Sequence, residues 1–280
     1  MIGSINNNSF ALQNQRLLRL NQLGQQRSLE RLATGRRINR GADDPAGLIA
    51  SESLSATLAA LEAEVIFNER QQNIASTADA ALGEVSSLLT EARRLTVANA
   101  DGTLSDAERQ ANQAQIDSIV ASVDRVSNTT QFNGKKLLDG TLTLKVTGAS
   151  QAVTRVSSGT IGATTIDGEN VSLNDLKTGG DLAANSNRSE DSAAVVDQAI
   201  KDVAMLRAKV GAFQTNVLDT RINALRVATE NLSAARSIIR DTDYAAETAQ
   251  RFRVTFLAAA GVSTFRSAFQ SQRRILSLLG

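Results

Sequence analysis

Apolar side chains recur along most of this chain at steps of three and four. Between residues 45 and 99, Ile74, Ala78, Ala81, Val85, Leu88, Ala92 and Leu95 keep that rhythm without an error, and Leu54, Leu58, Leu61 and Val65 keep it upstream. Such spacing places one apolar edge along a helix. It predicts a single rod over 45–99, roughly 80 Å long at ~1.5 Å per residue. An edge of that length needs a partner helix to cover it. The partner is predicted at 189–240, where Val203, Leu206, Val210, Phe213 and Val217 step in the same way. There the register shifts near 218–222 and resumes as Leu225, Ala228, Leu232, Ala235 and Ile239. Residues 4–34 carry a looser stripe (Phe10, Leu17, Leu20, Leu23, Leu29, Leu32), and the stretch from 245 to 279 is rich in Ala, Phe and Arg.

Breaks in the pattern define the joints. "TGRRINRGADD" (34–44) has glycines near both ends and no helical period, so it reads as a connector. Asp44 is a candidate N-cap and Pro45, the single proline, sits at the first helical position, where its missing N–H costs nothing. "ADGTLSDAERQ" supplies a turn and a capping box, Ser105 with Glu108, and predicts a helix to about Ser127 through Ile116, Ile119, Val123 and Val126. "SNTTQFNGKKLLDG" ends it with an Asn-Gly turn signal. Residues 141–185 change to period two, with "TLTLKVTG" and an Asp-Gly inside "TTIDGENVSL", and predict one or two small, partly open β-hairpins. "RDTDY" (240–244) closes the second rod.

The expected fold class is mainly α, with long antiparallel coiled-coil helices, a small β-hairpin insert, and N- and C-termini paired. Three regions follow: 1–44 with 245–280, 45–140 with 186–244, and 141–185.

Composition narrows the function. The chain has no Cys and no His, which removes disulfides, thiolate metal sites, the commonest general base and the commonest transition-metal ligand. The start "MIGSINNNSF" lacks a basic segment followed by an apolar one, so no secretory signal peptide is expected, and no run of apolar residues is long enough to span a bilayer. The net charge of +1 is unevenly spread: residues 1–40 hold seven Arg against one acid, and 250–280 hold five Arg and no acid. Basic ends on an acidic body imply that the termini share an environment.

Candidate chemistry is thin. Adjacent carboxylates such as Asp43 and Asp44 rarely converge on one ion, and capping explains them. Asp241-Thr-Asp243 lacks the later ligands and the glycine of a calcium loop, and "FNGKKLL" lacks the earlier glycine and the Ser/Thr of a phosphate loop. The Arg-rich ends have too little aromatic interleaving for nucleic acid, and apolar stripes too diluted for a membrane. Contact with other protein helices fits them better. Weakly apolar terminal helices are marginal alone, so they are expected to order on assembly.

"SLERLATGRRINRGADDPAGLIAS" (28–51), "ASTADAALGEVSSLLTEARRLTVANADGTLSDAER", "VDRVSNTTQFNGKKLLDG" and "LRAKVGAFQTNVLDTRINALRVATENLSAARSIIRDTDYAAE" together resemble the two conserved halves of bacterial flagellins, as does the closing "ILSLLG". The resemblance covers about 1–140 and 190–280, with the family's large outer domains missing. It implies a structural subunit that self-assembles into the filament used for swimming. The terminal helices would form an inner core and the rods the next shell, and the chain would be secreted by the flagellum's own export route. Implied partners are other flagellin subunits, hook–filament junction proteins, the filament cap and an export chaperone. No cofactor, metal or catalytic residue is implied. An alternative is a hook–filament junction protein, which shares the terminal pattern; an enzyme housed in 141–185 is disfavoured by the length of that segment.

At the two joints the expected interface residues are Arg31, Leu32, Ile38, Asn39, Asp43 and Asp44, facing Arg236, Arg240, Asp241 and Asp243. Opposite charges from the two sets are expected to pair, and the two joints to dock, within or between subunits. Leu276 and Leu279 join this set at the C-terminus. Departures from the family pattern occur in "SAFQSQRR", and at Glu91 and Gln115. The latter two resemble altered positions of the patch read by the flagellin-sensing Toll-like receptor, which implies weak recognition.

Overall fold

The computed structural model describes residues 9–101, 103–183 and 188–279, with backbone alone at 9–10, 268–269 and 271–279. Six helices dominate: α1 (Ser9–Thr34), α2 (Pro45–Asn99), α3 (Asp106–Thr129), α4 (Ser189–Phe213), α5 (Thr220–Arg240) and α6 (Tyr244–Leu279). Three two-stranded antiparallel hairpins lie between α3 and α4: β1 (Gln131–Phe132) with β2 (Lys135–Lys136), β3 (Thr143–Val146) with β4 (Ala149–Ala152), and β5 (Thr164–Ile166) with β6 (Glu169–Val171). The fold is mainly α. Residues 4–8, expected to begin the first helix, lie outside the described residues. The chain divides into two compact units, 1–61 with 228–280, and 62–227.

In the second unit the buried edge of α2 is Ala75, Ala78, Leu82, Val85, Leu89, Ala92 and Leu95, while Ile74, Ala81 and Leu88 pack at its border. The edge read from sequence is therefore displaced by one residue at alternate steps. The cause is a wider buried arc. Two helices, α3 (Ile116, Val120, Val123) and α4 (Val195, Val196, Ala199, Val203, Leu206, Val210), share one core with α2. Facing ion pairs, Arg93–Asp197 and Arg207–Asp79, tie α2 to α4 at the core's margin.

The insert, expected as one or two small, partly open hairpins, is packed into the helical core together with the residues that lead into it. Leu137, Leu138, Leu144, Val153, Val156, Leu173, Leu176 and Leu182 belong to the same core, each at most 1% exposed. Two turns shape it as the dipeptides demand. Asn133-Gly134 (φ 48° and 77°) and Asp167-Gly168 (φ 52° and 85°) both place two residues in the left-handed region, the geometry whose twist matches a tight hairpin. Polar side chains of α3 then hold the insert. Asp124 accepts from the Ser158 N–H (2.7 Å), the Ser158 hydroxyl (2.8 Å) and Lys177 Nζ (3.3 Å). Asp117 accepts from the Thr178 N–H at 2.9 Å, and Gln113 donates to the Leu176 carbonyl at 2.7 Å.

Where the sequence shifts register, the backbone inserts a turn of π-helix, Gln214–Asp219, between α4 and α5. Buried positions step from Phe213 to Leu218, five residues, before Ile222 and Leu225 resume the shorter rhythm. One extra residue is absorbed without breaking the helix. Side chains of α2 clamp it: Gln214 donates to Ser76 Oγ at 3.0 Å and Gln72 donates to Asp219 Oδ1 at 2.7 Å. One turn before Gln72, Asn68 is fully buried, with neither amide atom partnered among the described residues.

The first unit holds α1 and α6 side by side and antiparallel. A methyl placed on Gly24 would stand 3.5 Å from Val254, and one on Gly261 3.0 Å from Leu18. Further along, the Ser28 hydroxyl reaches the Glu247 carbonyl at 3.3 Å. Small residues let the two backbones approach.

Candidate functional site

The two joints meet in the first unit, beneath the α1–α6 pair. α1 stops at Thr34 because Gly35 takes φ 69°, returning its N–H to the Arg31 carbonyl at 2.9 Å. The chain then pairs briefly with the end of α5. Arg36 and Asp241 form an antiparallel bridge, the Arg37 N–H donates to the Arg240 carbonyl at 2.7 Å, and the Thr242 N–H donates to the Gly35 carbonyl at 2.9 Å. The Arg37 guanidinium adds a bond to the Ile239 carbonyl at 2.7 Å.

The predicted joint residues, Leu276 and Leu279 apart, have a defined place. Ile38 is the apolar plug, 1% exposed. Asp43 folds its own turn, accepting from the backbone N–H groups of Asn39 (3.1 Å) and Arg40 (3.0 Å). Those two donors, Arg40 first, hold its carboxyl below the usual range. Asn39 also donates its amide to the Arg36 carbonyl at 3.0 Å. Asp44 caps α2, accepting from the Gly47 N–H at 2.9 Å, and Asp243 caps α6, accepting from Ala245 (2.9 Å) and Ala246 (3.1 Å). Arg31 pairs with Glu247 at 3.5 Å, Arg240 with Glu52 at 3.0 Å, and the Leu32 carbonyl accepts from Tyr244 Oη at 3.2 Å. Arg236 is half-buried on α5. The side chains of Leu276 and Leu279 lie outside the described residues.

Within one copy the two charge sets do not pair with each other. Asp43, Asp44 and Asp243 spend their oxygens on backbone N–H groups at turns and caps, where the orphan donors of a helix start outbid a mobile guanidinium. The arginines turn instead to Glu30, Glu52 and Glu247, acids not singled out from sequence. Tyr244, the only tyrosine, is the other contributor missed; its position one residue after the capping Asp243 was the available signal. Among the described residues no three His, Cys, Asp or Glu side chains converge as metal ligands.

Above the joint, the helix pair is apolar on its outside as well as along its seam. Leu17, Leu20 and Leu23 on α1, and Phe252 and Phe256 on α6, are exposed, the two phenylalanines by more than 70%. Among the described residues no helix is long and apolar enough to cross a membrane.

Residues 5–143 match the model of the bacterial flagellin N-terminal helical region, and residues 193–279 that of the C-terminal helical region. The chain belongs to the bacterial flagellin family. A flagellin of Bacillus subtilis (strain 168) is 34% identical, across 98% of this chain and 99% of that one. Flagellin FlaB2 of Treponema pallidum (strain Nichols) is 32% identical over the same shares. A solved flagellar hook-associated protein from Vibrio parahaemolyticus superposes with a TM-score of 0.60, covering 71% of this chain and 99% of that one at 17% identity. That likeness shows the fold alone. Both family models and the full-length relatives favour a filament flagellin over a hook–filament junction protein.

Proposed function

We propose that this flagellin is the repeating subunit of a flagellar filament, and that copies pack through the outer faces of their α1–α6 pairs. The observation that carries this reading is the exposure of Leu17, Leu20 and Leu23 on α1 and of Phe252 and Phe256 on α6, a helix pair that has already buried its own seam. Large apolar side chains left in solvent on both helices mark surfaces that another protein covers. The work is mechanical: helix packing transmits torque, and no residue performs a reaction. Residues 1–44 with 245–280 would form the inner shell, 45–140 with 186–244 the rod, and 141–185 its hairpin insert. The joint residues Arg31, Ile38, Asp43, Asp44, Arg240 and Asp243 would fix how shell and rod are connected.

Deleting 1–40 and 250–280 tests this. Purified full-length chain seeded with filament fragments should elongate, visible by electron microscopy, and the truncated chain should not. Filaments from the truncated chain would overturn the reading. Phe252→Ser with Phe256→Ser, which removes apolar area and leaves the backbone intact, should slow elongation at unchanged helix content.

Secretion through the flagellar export route, and contacts with junction proteins, cap and chaperone, accompany this role. Recognition by the flagellin-sensing Toll-like receptor should be weak. Glu91 is committed to Arg94 on the same helix, and Gln115 is an exposed amide where an acid is expected. A reporter-cell response equal to that of a strongly sensed flagellin would refute this.

A further inference from the structure

Asn133-Gly134 is the one Asn-Gly step in the chain. It forms the two-residue turn between β1 and β2, with both residues exposed and both left-handed (φ 48° and 77°). Those residue types are what such a turn demands. They also set two reactive groups side by side. Asn133 carries an amide carbon, Cγ, open to attack, and the next main-chain nitrogen is the nucleophile that closes a five-membered ring on it. In most sequences the following side chain obstructs that approach. Gly134 has none, and a methyl placed on it would meet nothing within 4 Å.

Neither group is held back by other bonds. Among the described residues the Asn133 amide makes no hydrogen bond, and the Gly134 N–H joins no backbone one. Two residue pairs, Gln131 with Lys136 and Phe132 with Lys135, make up the ribbon above the turn. A ribbon that short opens locally. Beyond it the chain is anchored: the Leu137 N–H donates to the Thr130 carbonyl at 3.1 Å, and the Ser127 hydroxyl to the Leu138 carbonyl at 3.2 Å. Local opening therefore lets Asn133 rotate until Cγ faces the Gly134 nitrogen, while Leu137 and Leu138 stay in the core.

Comparable steps elsewhere are restrained. At Asp139-Gly140 the carboxylate accepts from the N–H (2.9 Å) and hydroxyl (2.7 Å) of Thr141, and a methyl on Gly140 would stand 3.1 Å from Arg155. Asp167-Gly168 has the same turn, but its side chain is a carboxylate 3.6 Å from Arg188. An ionised carboxylate resists a nitrogen nucleophile and would have to expel hydroxide. Asn39 donates to the Arg36 carbonyl, and Asn170 accepts from the Thr165 hydroxyl. Asparagines inside α1, α2, α3 and α5 precede N–H groups committed to helical bonds.

We propose that Asn133 is a spontaneous modification site, deamidated through attack of the Gly134 nitrogen on its Cγ. The nitrogen gives its proton to solvent base, the N–Cγ bond forms, and the side-chain amide nitrogen leaves as ammonia. The product is a succinimide. Water then opens the ring at either carbonyl. One opening leaves aspartate; the other leaves isoaspartate, whose main chain runs through the side chain and is one methylene longer. The balance needs water alone, with no oxidant or cofactor. Either product sets a carboxylate beside Lys135 and Lys136, in a stretch (130–160) that holds four bases against one acid. Isoaspartate also lengthens a turn built for two residues, so the pairing register that leads into Leu137 and Leu138 loosens. The inference stands apart from the filament reading and does not depend on it.

The test is mass spectrometry of the full chain, kept folded in mildly alkaline buffer and then digested with trypsin. The peptide 126–135 should gain about one dalton, ahead of every other asparagine-containing peptide, with fragment ions placing the change at Asn133 and not at Asn128. The product should separate into aspartate and isoaspartate forms, and an isoaspartyl methyltransferase should label the aged chain but not Asn133→Gln. Should Asn133→Gln lose helix content, the mass and product readouts on the unaltered chain decide. Raising the pH by one unit should speed conversion by up to about tenfold, as attack by a deprotonated nitrogen requires. Asn133→Asp carries the new charge and tolerates the left-handed turn, so the aged chain should melt at a lower temperature than this variant. Equal melting would overturn the loosened register. Conversion led by Asn8 or Asn185, which precede serine, or seen at Asn133 only after urea has unfolded the chain, would overturn the site itself. So would aspartate as the single product, which direct hydrolysis gives without a ring.

Discussion

Single residues at the joint and on α3 have effects whose sign follows from their neighbours. Gly→Ala inside a helix normally gains about 0.5–1 kcal/mol. At Gly47 the sign reverses: the added methyl would stand 2.4 Å from Asp44 Oδ2 and 2.7 Å from Ile38 Cδ1, disturbing both cap and plug. Gly47→Ala should therefore destabilise the chain, by about 1–3 kcal/mol, read as a lowered urea midpoint. Asp44→Ala loses the bond from the Gly47 N–H and should cost about 1 kcal/mol by the same measurement. Asp124 sets a pH dependence. Burial pushes its carboxyl up, but the Ser158 N–H and hydroxyl and Lys177 more than offset it, leaving it below the ordinary value of 3.8. Asp117 is shifted the same way, with burial opposed by Thr178 and Gln113. A folded value below the unfolded one stabilises above the unfolded value, and that contribution is lost as pH falls through the folded one. Amide exchange at residues 156–178 should thus accelerate below about pH 4. Asp124→Asn should flatten that acid response; an unchanged response would place the proton elsewhere.

At the scale of elements, the helices were legible because their signals are local and repeated. Pro45 after Asp44, Ser105 with Glu108, and unbroken three-four steps gave α2 and the start of α3 to the residue. The register shift near 218–222 was legible too, but not the device that absorbs it, since a slip in apolar spacing does not say whether the helix breaks, kinks or widens. The alternate displacement of the α2 edge was invisible because it depends on how many neighbours surround the helix. The joint was half legible: capping by Asp44 could be read from one dipeptide, whereas the Arg240–Glu52 and Arg31–Glu247 pairs join residues 188 and 216 positions apart. The π-helical turn also leaves a test. One helical turn before the clamping Gln72, Asn68 is buried with its amide unpartnered among the described residues, so Asn68→Leu, which keeps the same number of side-chain heavy atoms, removes a desolvated polar group. The variant should raise the thermal midpoint of the monomer, by about 1–3 kcal/mol in stability. A loss of stability for both Asn68→Leu and the smaller Asn68→Val would mean that water satisfies the amide.

For the whole molecule, charge and burial divide the labour. Arg16, Arg19, Arg27, Arg251, Arg253 and Arg266 are exposed on the terminal helices, while the second unit has its insert, α2, α3 and α4 locked in one core. Brief trypsin treatment of monomers should trim the ends and leave a fragment spanning most of 45–240, and filaments should resist at the same sites. Equal cleavage of both forms would contradict burial of the terminal pair on assembly. A last consequence comes from the way the joints meet. Arg36 and Asp241 dock through main-chain N–H and carbonyl groups, which every residue except proline carries in full. The contact is thus nearly blind to which side chains occupy those positions. Lineages can change charge and size there without losing the connection, provided Gly35 keeps its turn and Ile38 its plug. Divergence at 36 and 241 is therefore neutral drift until another molecule reads it, and an engineer seeking a place for a label has the same freedom, whereas Arg37 and Arg240 also hold the Ile239 carbonyl and Glu52 through their side chains.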